Sequence, residues 1–514
     1  MNTLLERLLD YYGLTEEEYG RMILPPSFQN LPKIDSSPLT IAAIKRLDQA
    51  KEKGEKVLVY GDYDTDGIMS CSIILSSLRE YGLLAEGYLP SRYLDGYGIT
   101  KENVDKIASN GYSLIFTVDN GVSAFEALDE AKRKGIDVII LDHHEFQDKK
   151  PDVITLHPDL LSYGDVPVSA GYLSFIFSCA LLHKKDDYLM SLGAISTLSD
   201  MMPLKGYNRE IVRLALLSIK ENRYPEIYAL TDKKFIDEKI LQMEIIPKIN
   251  AVGRMLEGKE INRLLRYFIG GQPKEKRAIS EWLSEVNAKR KEETKAAESK
   301  VSVDPNDEAI VVLCDIPEGL NGLLANRLLN EYEKPVAVFS PMKGSDDVLV
   351  GSLRSKEGFN ILKAISSDKI NLLSGGGHAF AGGVSIKKSD FESFKKEFIF
   401  AALKHKFSPG KKKLIPLNLS EATMENANLV ATFSPFGQEW GAPSFLLSKL
   451  DSKEFTYTSN GKYLSYRLPN GVRLFSFSIS EDSFINDEKV DLAVSFSPNE
   501  FKGRMYLDLL AEKA

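Results

Sequence analysis

Three carboxylates fall at alternate positions within Gly61-Asp62-Tyr63-Asp64-Thr65-Asp66-Gly67. Like charges packed that closely repel one another unless a cation offsets them. A helix–loop–helix calcium site opens in the same way but needs a bidentate Glu at its twelfth loop position. Ile73 stands there if Asp62 is first, and an apolar β-type run precedes the loop instead of a helix. A solvated acidic turn is the other plain reading. Asp142-His143-His144 follows a second apolar run, and imidazole beside carboxylate suits manganese, iron or zinc better than calcium or magnesium. Asp119 ends LIFTVD ahead of Gly121, whose freedom at positive φ permits a tight exit, and Asp200 ends LGAISTLSD. Taken singly, a His pair is often structural and an aspartate such as Asp200 a helix cap or a surface acid. Together, Asp62, Asp64, Asp66, Asp119, His143, His144 and Asp200 are seven groups able to bind metals, at four segment ends. Two ions about 3.5–4 Å apart, sharing a carboxylate, could activate a water for in-line attack on a phosphate. No P-loop, GxGxxG or Ser-His-Asp arrangement in the sequence competes with that chemistry.

The elements that must position these groups are legible between about Glu55 and Asp200. VLVYG (57–61), LIFTVD (114–119) and VIILD (138–142) are short, β-branched runs ending in polar residues, separated by SCSIILSSLREYG and SAFEALDEAKRKG, which have helical periodicity and a terminal glycine. This βαβ alternation predicts a parallel sheet covered by helices, with ligands bound beyond the carboxyl ends of the strands. From about Pro273 to Lys300 a stretch of mixed charge with almost no apolar stripe predicts an exposed connecting helix. A second α/β unit follows, with EAIVVLC (308–314), a helix near Leu323–Tyr332 and PVAVF (335–339). GKKKLIP (410–416) has the composition of a linker. The short alternating runs KYLSYRL, VRLFSFSI, VDLAVSF and RMYLDLL beyond it predict a small β-barrel or sandwich.

The 514 residues exceed what one core holds, so two to four domains are expected. Hydrophobic residues at 43% and charged residues at 27% are a globular balance that excludes wholesale disorder. The net charge of −8 argues weakly against nucleic acid, but cation-binding acids dominate that figure, and the placing of basic groups near the cleft matters more. The acidic N-terminus reads as an amphipathic helix and not as a targeting segment, and the longest apolar run, Tyr172–Leu182, is about half of the ~20 residues that span a bilayer. Cys71, Cys179 and Cys314 lie far apart without a CxxC pair, which fits a reducing cytoplasm.

GDYDTDG, TVDNG, LDHH and STLSDMMPL, in this order, resemble the four motifs of the DHH phosphoesterase family, and within it the chain is similar to the RecJ single-strand-specific exonucleases. LPSRYLDGYG (89–98), IPKINAVGRM (246–255), EGLNGLLANRLLNEYEKPVAVF (318–339), GSLRS (351–355) and SGGGHAFAGG (374–383) also look like RecJ segments. SPFGQEW (434–440) and NEFKGRMYLDLL (499–510) are similar to the family's oligonucleotide-binding (OB) barrel. The resemblance covers residue 55 to the C-terminus.

The N-terminal residues read as a helical segment over 1–54; the resemblance implies a parallel-sheet DHH domain over 55–255 and a connecting helix over 256–304. A DHH-associated α/β substrate-binding domain would follow over 305–408, and an OB-type β-barrel over 413–514. Two divalent cations are expected, manganese first and magnesium second. Asp66, Asp119, His143 and Asp200 would hold one; Asp62, Asp64 and the shared Asp119 the other. Many DHH enzymes have a His where Tyr60 stands. His144 would stabilise or protonate at the scissile phosphate, with Asp64 and Asp119 as its catalytic partners. Arg92, Arg254, Ser352 and Arg354 would grip a 5′ phosphate, for which Arg offers bidentate donors. Asn250 lies in the same set, Tyr97 could stack on a base, and Gly375, Gly376, Gly377 and His378 would form a backbone cradle. Lys453, Tyr457, Lys462, Tyr463, Arg467 and Arg473 of the barrel could track a strand.

The activity so implied is 5′→3′ hydrolysis of single-stranded DNA to mononucleotides in repair and recombination. Single-stranded DNA with a 5′ end is the expected partner, with a helicase or single-strand-binding protein as candidate supplier, a monomeric chain and no membrane. Two alternatives are a phosphodiesterase acting on short oligoribonucleotides or cyclic dinucleotides and a non-catalytic DHH scaffold. The barrel and GSLRS argue against the first, and the full set of acids and histidines against the second.

Overall fold

The computed structural model describes residues 3–513 except 97, 148, 162, 165, 257, 305, 406–412, 485–487 and 502–503. Tyr97, linker residues 410–412 and the expected domain limits at 305 and 408 therefore lie outside the described residues. The chain forms two compact units: Met1–Ser27, Pro203–Lys205 and Lys411–Ala514 in one, Phe28–Met202 and Gly206–Gly410 in the other.

The first unit opens with helices α1 (Leu4–Tyr12) and α2 (Glu16–Met22), each started by a capping box, Thr3 with Glu6 and Thr15 with Glu18. Tyr12 stacks on Phe433 and Trp440, with ring centroids 5.0 and 4.5 Å apart, so this N-terminal pair packs on the C-terminal domain.

The second unit begins with α3 (Pro38–Lys53) and a five-stranded parallel sheet: β1 (Lys56–Tyr60), β2 (Leu84–Tyr88), β3 (Leu114–Val118), β4 (Asp137–Leu141) and β5 (Ile154–Leu156), in the order β2-β1-β3-β4-β5. The three runs expected as strands are the three central ones, where burial on both faces demands continuous apolar sequence. Helices α4 (Thr65–Glu80), α5 (Lys101–Ser109), α6 (Phe125–Lys134), α7 (Ala170–Leu182) and α8 (Asp187–Ser199) cover the sheet. α4, α7 and α8 pack on one another and are buried on nearly every side. α5 and α6 bury one stripe each, in a core shared with Leu58, Tyr60, Ile115 and Val138.

Helix α9 (Gly206–Asn222), the short α10 (Pro225–Tyr228) and α11 (Glu238–Ile240), and a π turn over Leu241–Ile245 lead into α12 (Ile246–Met255). Pro247 has no N–H to give an α-helical bond, and the chain widens just before it. After α13 (Arg263–Ile269), the connecting helix α14 (Pro273–Glu298) differs from the expectation of an exposed rod. It buries Ile279, Ser280, Leu283, Val286, Asn287, Thr294 and Ala297 and packs on α12 and α13. Three of those seven are polar, which is why the stripe is faint in the sequence.

A mixed sheet follows, β6 (Ile310–Leu313), β7 (Val336–Pro341), β8 (Val348–Arg354), β9 (Ser374–Gly377) and β10 (Ala381–Lys387), ordered β6-β7-β8-β10-β9 with only β6 and β7 parallel. Helices α15 (Asn321–Tyr332), α16 (Ile361–Ile365) and α17 (Phe391–His405) complete two cores around it.

The C-terminal domain is a seven-stranded sheet. Its strands are β11 (Ile415–Pro416), β12 (Phe445–Asp451), β13 (Tyr457–Thr458), β14 (Tyr463–Arg467), β15 (Arg473–Ser476), β16 (Lys489–Phe501) and β17 (Arg504–Lys513). They run in the order β11-β12-β16-β17-β15-β14-β13, with α18 (Met424–Ala431) against β16 and β17. Among the described residues no helix is long and apolar enough to cross a membrane.

A Cβ on Gly253, in α12, would lie 2.3 Å from the Tyr63 carbonyl oxygen. Gly→Ala within an open helix stabilises by about 1 kcal/mol. Gly253→Ala should do the opposite and lower the thermal unfolding midpoint, because α12 and the acidic loop would have to part. A raised midpoint would show that the two are not in close contact.

Candidate metal centre

The first acidic loop runs from the end of β1 into α4. Asp64 is the N-cap of that helix, its Oδ1 accepting from Gly67 N at 3.1 Å, and Asp66 lies in the first turn. Both positions favour negative charge through the helix dipole. A Cβ on Gly67 would lie 2.4 Å from Asp62 N, so only glycine lets the loop fold back this tightly. Asp66 is anchored from one side: Ala170 N (3.0 Å) and Gly171 N (2.8 Å), at the start of α7, and Ser196 Oγ (2.5 Å) all donate to it. Asp119 follows β3 with φ +61°, a left-handed conformation costing a non-glycine residue about 1–2 kcal/mol. Its N–H bonds to Leu141 O at 3.0 Å. Asp200 is the C-cap of α8, the end at which an anion is disfavoured.

These groups meet. His143 Nε2 lies 3.3 Å from Asp119 Oδ1, 3.5 Å from Asp200 Oδ2 and 3.6 Å from Asp66 Oδ2. Ligand atoms of Asp66, His143 and Asp200 lie within 4.8 Å of one another, as do those of Asp62, Asp64 and Asp119. Donors about 2.1 Å from a common ion are separated by roughly 3.0–3.4 Å, close to the observed spacing. Among the described residues Asp62 Oδ1, His143 Nε2 and Asp200 Oδ2 are buried without a hydrogen-bond partner, a state that proteins avoid. The donor set fits two divalent cations.

The electrostatics agree. Burial, and then neighbouring carboxylates, push Asp62, Asp64 and Asp119 above the usual carboxylate range, and Asp200 up to about 8. Burial keeps His143 neutral, the ligating form, despite the acids around it. Asp142 behaves differently. Its Oδ1 accepts from His143 N (2.8 Å), His144 N (3.2 Å) and His144 Nδ1 (2.7 Å), and its Oδ2 accepts from Val122 N (3.1 Å). Burial would raise the Asp142 carboxyl, but the bond to His144, the His144 charge and the Val122 amide outweigh it and hold it low. Burial also works against the charged form of His144, whose side chain is 44% exposed. The bond to Asp142 and the surrounding carboxylates outweigh that and raise it to about 9.

Beside the acids lies a basic cluster. Arg254, in the last turn of α12, is pulled down to about 10 by burial and by Arg92, Arg290 and Arg354 around it. Arg92 lies over the Tyr63 ring at 4.3 Å. Ser352 and Arg354, alternate residues of β8, both reach Gly322 at the start of α15: a Cβ there would stand 2.9 Å from Arg354 Nη2 and 3.7 Å from Ser352 Oγ. Arginine donors around a helix N-terminus form an anion site.

The sequence-predicted residues are thus largely assembled. Asn250 does structural work, its Oδ1 accepting from Thr65 N and Oγ1, both at 2.9 Å. Gly376 and Gly377 are exposed on edge strand β9, with Gly376, Gly383 and Ser352 in one cross-strand row, and exposed His378 follows. In the C-terminal domain Arg473 pairs with Asp508 and Lys453 with Glu488, so those cations are engaged by acids. Sequence reading missed Ser196 as a donor to Asp66 and Arg290 of α14 as a member of the arginine cluster. Serines among serines and one Arg in a charge-rich helix carry no local signal.

The chain matches the DHH family, N-terminal domain, over residues 56–185, the DHHA1 domain over 306–404 and the RecJ OB domain over 415–513. It is 30% identical over 410 residues to the single-stranded-DNA-specific exonuclease RecJ of Bacillus subtilis, covering 77% of this chain and 52% of that one, so it spans about half of that relative's length. The RecJ exonucleases of Thermus thermophilus and Escherichia coli are each 27% identical, over 90% and 91% of this chain and 69% and 89% of theirs. Its fold is that of Thermus thermophilus RecJ in complex with Mn2+ (TM-score 0.84, 24% identity, 98% of this chain and 74% of that one). A second structure, exonuclease RecJ bound to manganese, matches at TM-score 0.63 and 27% identity over 73% of this chain and 96% of that one.

Without metal, Asp62, Asp119 and Asp200 bind a proton more tightly folded than unfolded. That stabilisation is full below the ordinary carboxylate value of about 4 and is lost as pH rises through the raised values, about 8 for Asp200. The unfolding midpoint of chelated protein should therefore fall between pH 5 and 8. Added Mn2+ should restore it, by about 2.7 kcal/mol where its concentration is a hundredfold over Kd; at one fixed concentration the gain should be larger at pH 8 than at pH 5, where protons compete for the carboxyls. Equal stabilisation at both pH values would count against these carboxyls as ligands.

Proposed function

The chain belongs to the RecJ branch of the DHH family, and we propose that it is a metal-dependent exonuclease that shortens single-stranded DNA from its 5′ end to mononucleotides, in repair and recombination. What carries the reading is the convergence of Asp66, Asp119, His143 and Asp200 on one point, with the orphaned His143 Nε2 at its centre and an arginine cluster beside it. The names of the Bacillus, Thermus and Escherichia relatives support single-stranded DNA as the substrate.

Asp66, Asp119, His143 and Asp200 would hold one divalent ion, and Asp62, Asp64 and Asp119 the second, Mn2+ first and Mg2+ second. Bound there, the ions supply an activated water and neutralise phosphate charge. The chain's own residues do the rest. Asp142 accepts the Nδ1–H of His144, which keeps that ring oriented and cationic at neutral pH, ready to protonate the leaving oxygen. Arg92, Arg254, Ser352 and Arg354 grip the 5′ phosphate, and Arg290 adds charge behind them. Tyr97, Asn250, Gly376, Gly377 and His378 are assigned to the strand that follows. A monomeric state, a cytoplasmic location and delivery by a helicase or a single-strand-binding protein go with this reading. The OB domain suits long strands better than dinucleotides.

Asp66→Ala and His143→Ala should each lower hydrolysis of an end-labelled single strand by a thousandfold or more while circular dichroism stays unchanged; parental turnover in both would refute the metal assignment. A charged hydrogen bond contributes about 1.5–3 kcal/mol, so Arg354→Ala should raise KM for a 5′-phosphorylated strand roughly 10- to 100-fold. It should also erase any preference over a 5′-hydroxyl strand. A preference that survives would place the 5′ end elsewhere, and faster cutting of a dinucleotide than of a long strand would favour the phosphodiesterase reading.

A further inference from the structure

His157 is buried, 2% exposed, and outside every motif used above. It follows β5 and caps the short 3-10 turn Pro158–Leu160. Its Nε2 lies 3.0 Å from the backbone oxygen of His144, and its Nδ1 lies 3.2 Å from Asp159 N. A carbonyl only accepts and an amide N–H only donates, so Nε2 carries the proton and Nδ1 is bare. Both nitrogens of the neutral ring are thereby satisfied. The ring also packs on Phe146, centroids 4.2 Å apart, at the far side of the same loop.

Beyond Leu141, the end of β4, residues 142–147 have no regular structure. Asp142 N bonds to Leu156 O at 3.2 Å, and the amides of His143 and His144 both turn to the Asp142 carboxylate. The side of His144 opposite Asp142 is its carbonyl, and the group that holds that carbonyl is His157. The imidazole assigned to the leaving oxygen is thus clamped twice: Asp142 fixes its N–H and ring, His157 its carbonyl.

We propose that His157 is a positioning residue for His144, holding the loop so that the His144 imidazole stays aimed at the scissile phosphate. The inference rests on the role given to His144 above. Misplacing a reacting group by about 1 Å, or removing a residue that orients one, costs about 10- to 100-fold in rate.

The test uses the full chain with Mn2+ and a 5′-phosphorylated single strand. His157→Phe keeps a ring but removes the donor, and should lower kcat about 10- to 100-fold while KM and the Mn2+ activation midpoint stay within about twofold. His157→Gln, whose terminal N–H2 reaches the same carbonyl, should restore kcat to within about threefold of the parent. His157→Asn, too short for that contact, should behave like Phe. In a His144→Ala background the added His157→Phe should cost less than about twofold, because the group it orients is gone. Parental kcat in His157→Phe, an Asn variant as active as Gln, or an equal loss in the His144→Ala background would each overturn the proposal. Should His157→Phe fail to fold, the Gln and Asn pair decides. If His144→Ala alone has parental kcat, the role of His144 falls and this proposal with it. A low kcat there beside full activity in His157→Phe sinks this proposal alone.

Discussion

Five aspartates gathered into a largely dry pocket repel one another, and the surrounding structure can be understood by how each charge is met. Asp64 and Asp66 are met in part by donors of the protein, although burial and Asp66 still raise Asp64. One caps α4, and the other accepts two amides from the start of α7 and a hydroxyl from Ser196. Helix N-termini favour anions there. Asp62, Asp119 and Asp200 are not met in this way. Asp200 occupies a helix C-terminus, Asp119 a left-handed backbone, and all three are raised by burial and then by neighbouring carboxylates, Asp64 and Asp66 foremost. A fold that tolerates such a set has a cation as its missing component.

The histidine pair shows how adjacent residues diverge under that field. His143 is driven neutral by burial, leaving its Nε2 as a lone-pair donor among carboxylates; His144 is held charged by Asp142. One ring is suited to be a ligand and its neighbour an acid, and the carboxylate that precedes both in sequence holds them apart. Asp142 is the residue whose four accepted hydrogen bonds separate the two roles. Facing this centre, the arginines of α12, α14 and β8 with Arg92 place fixed positive charge beside the cations. An extended anion is drawn across both, whereas a neutral molecule is not.

How much of this was legible follows burial. β1, β3 and β4 are buried on both faces and read as continuous apolar runs. Edge strands β2 and β5 were missed, since LAEGY alternates with polar residues and β5 is only three residues long. The acids were legible because each terminates a buried element, and clustered charge without opposite charge is a local anomaly. α14 reads as exposed in sequence because serine, asparagine and threonine occupy part of its buried stripe. Arg290 and His157 were invisible for a related reason: their meaning lies in a partner more than ten residues away, Arg254 for one and the His144 carbonyl for the other. For Lys453 and Arg473 of the C-terminal domain, sequence shows a cation but not the Glu488 or Asp508 that pairs with it.

Tyr60 makes the two metal positions unequal. Where many DHH enzymes place an imidazole, this ring turns into the core beneath α5, its hydroxyl directed at Gly98 O and Asn103 Oδ1, 3.3 and 3.2 Å away. The Asp62, Asp64 and Asp119 position is therefore all oxygen, while the other contains His143 Nε2. Hard oxygen donors suit Mg2+ and Mn2+ and discriminate poorly between them; an imidazole shifts preference toward Mn2+ and later transition metals. The ion held with His143 should thus bind first and most selectively. The all-aspartate position would gain affinity for a cation as those raised carboxyls lose their protons with rising pH.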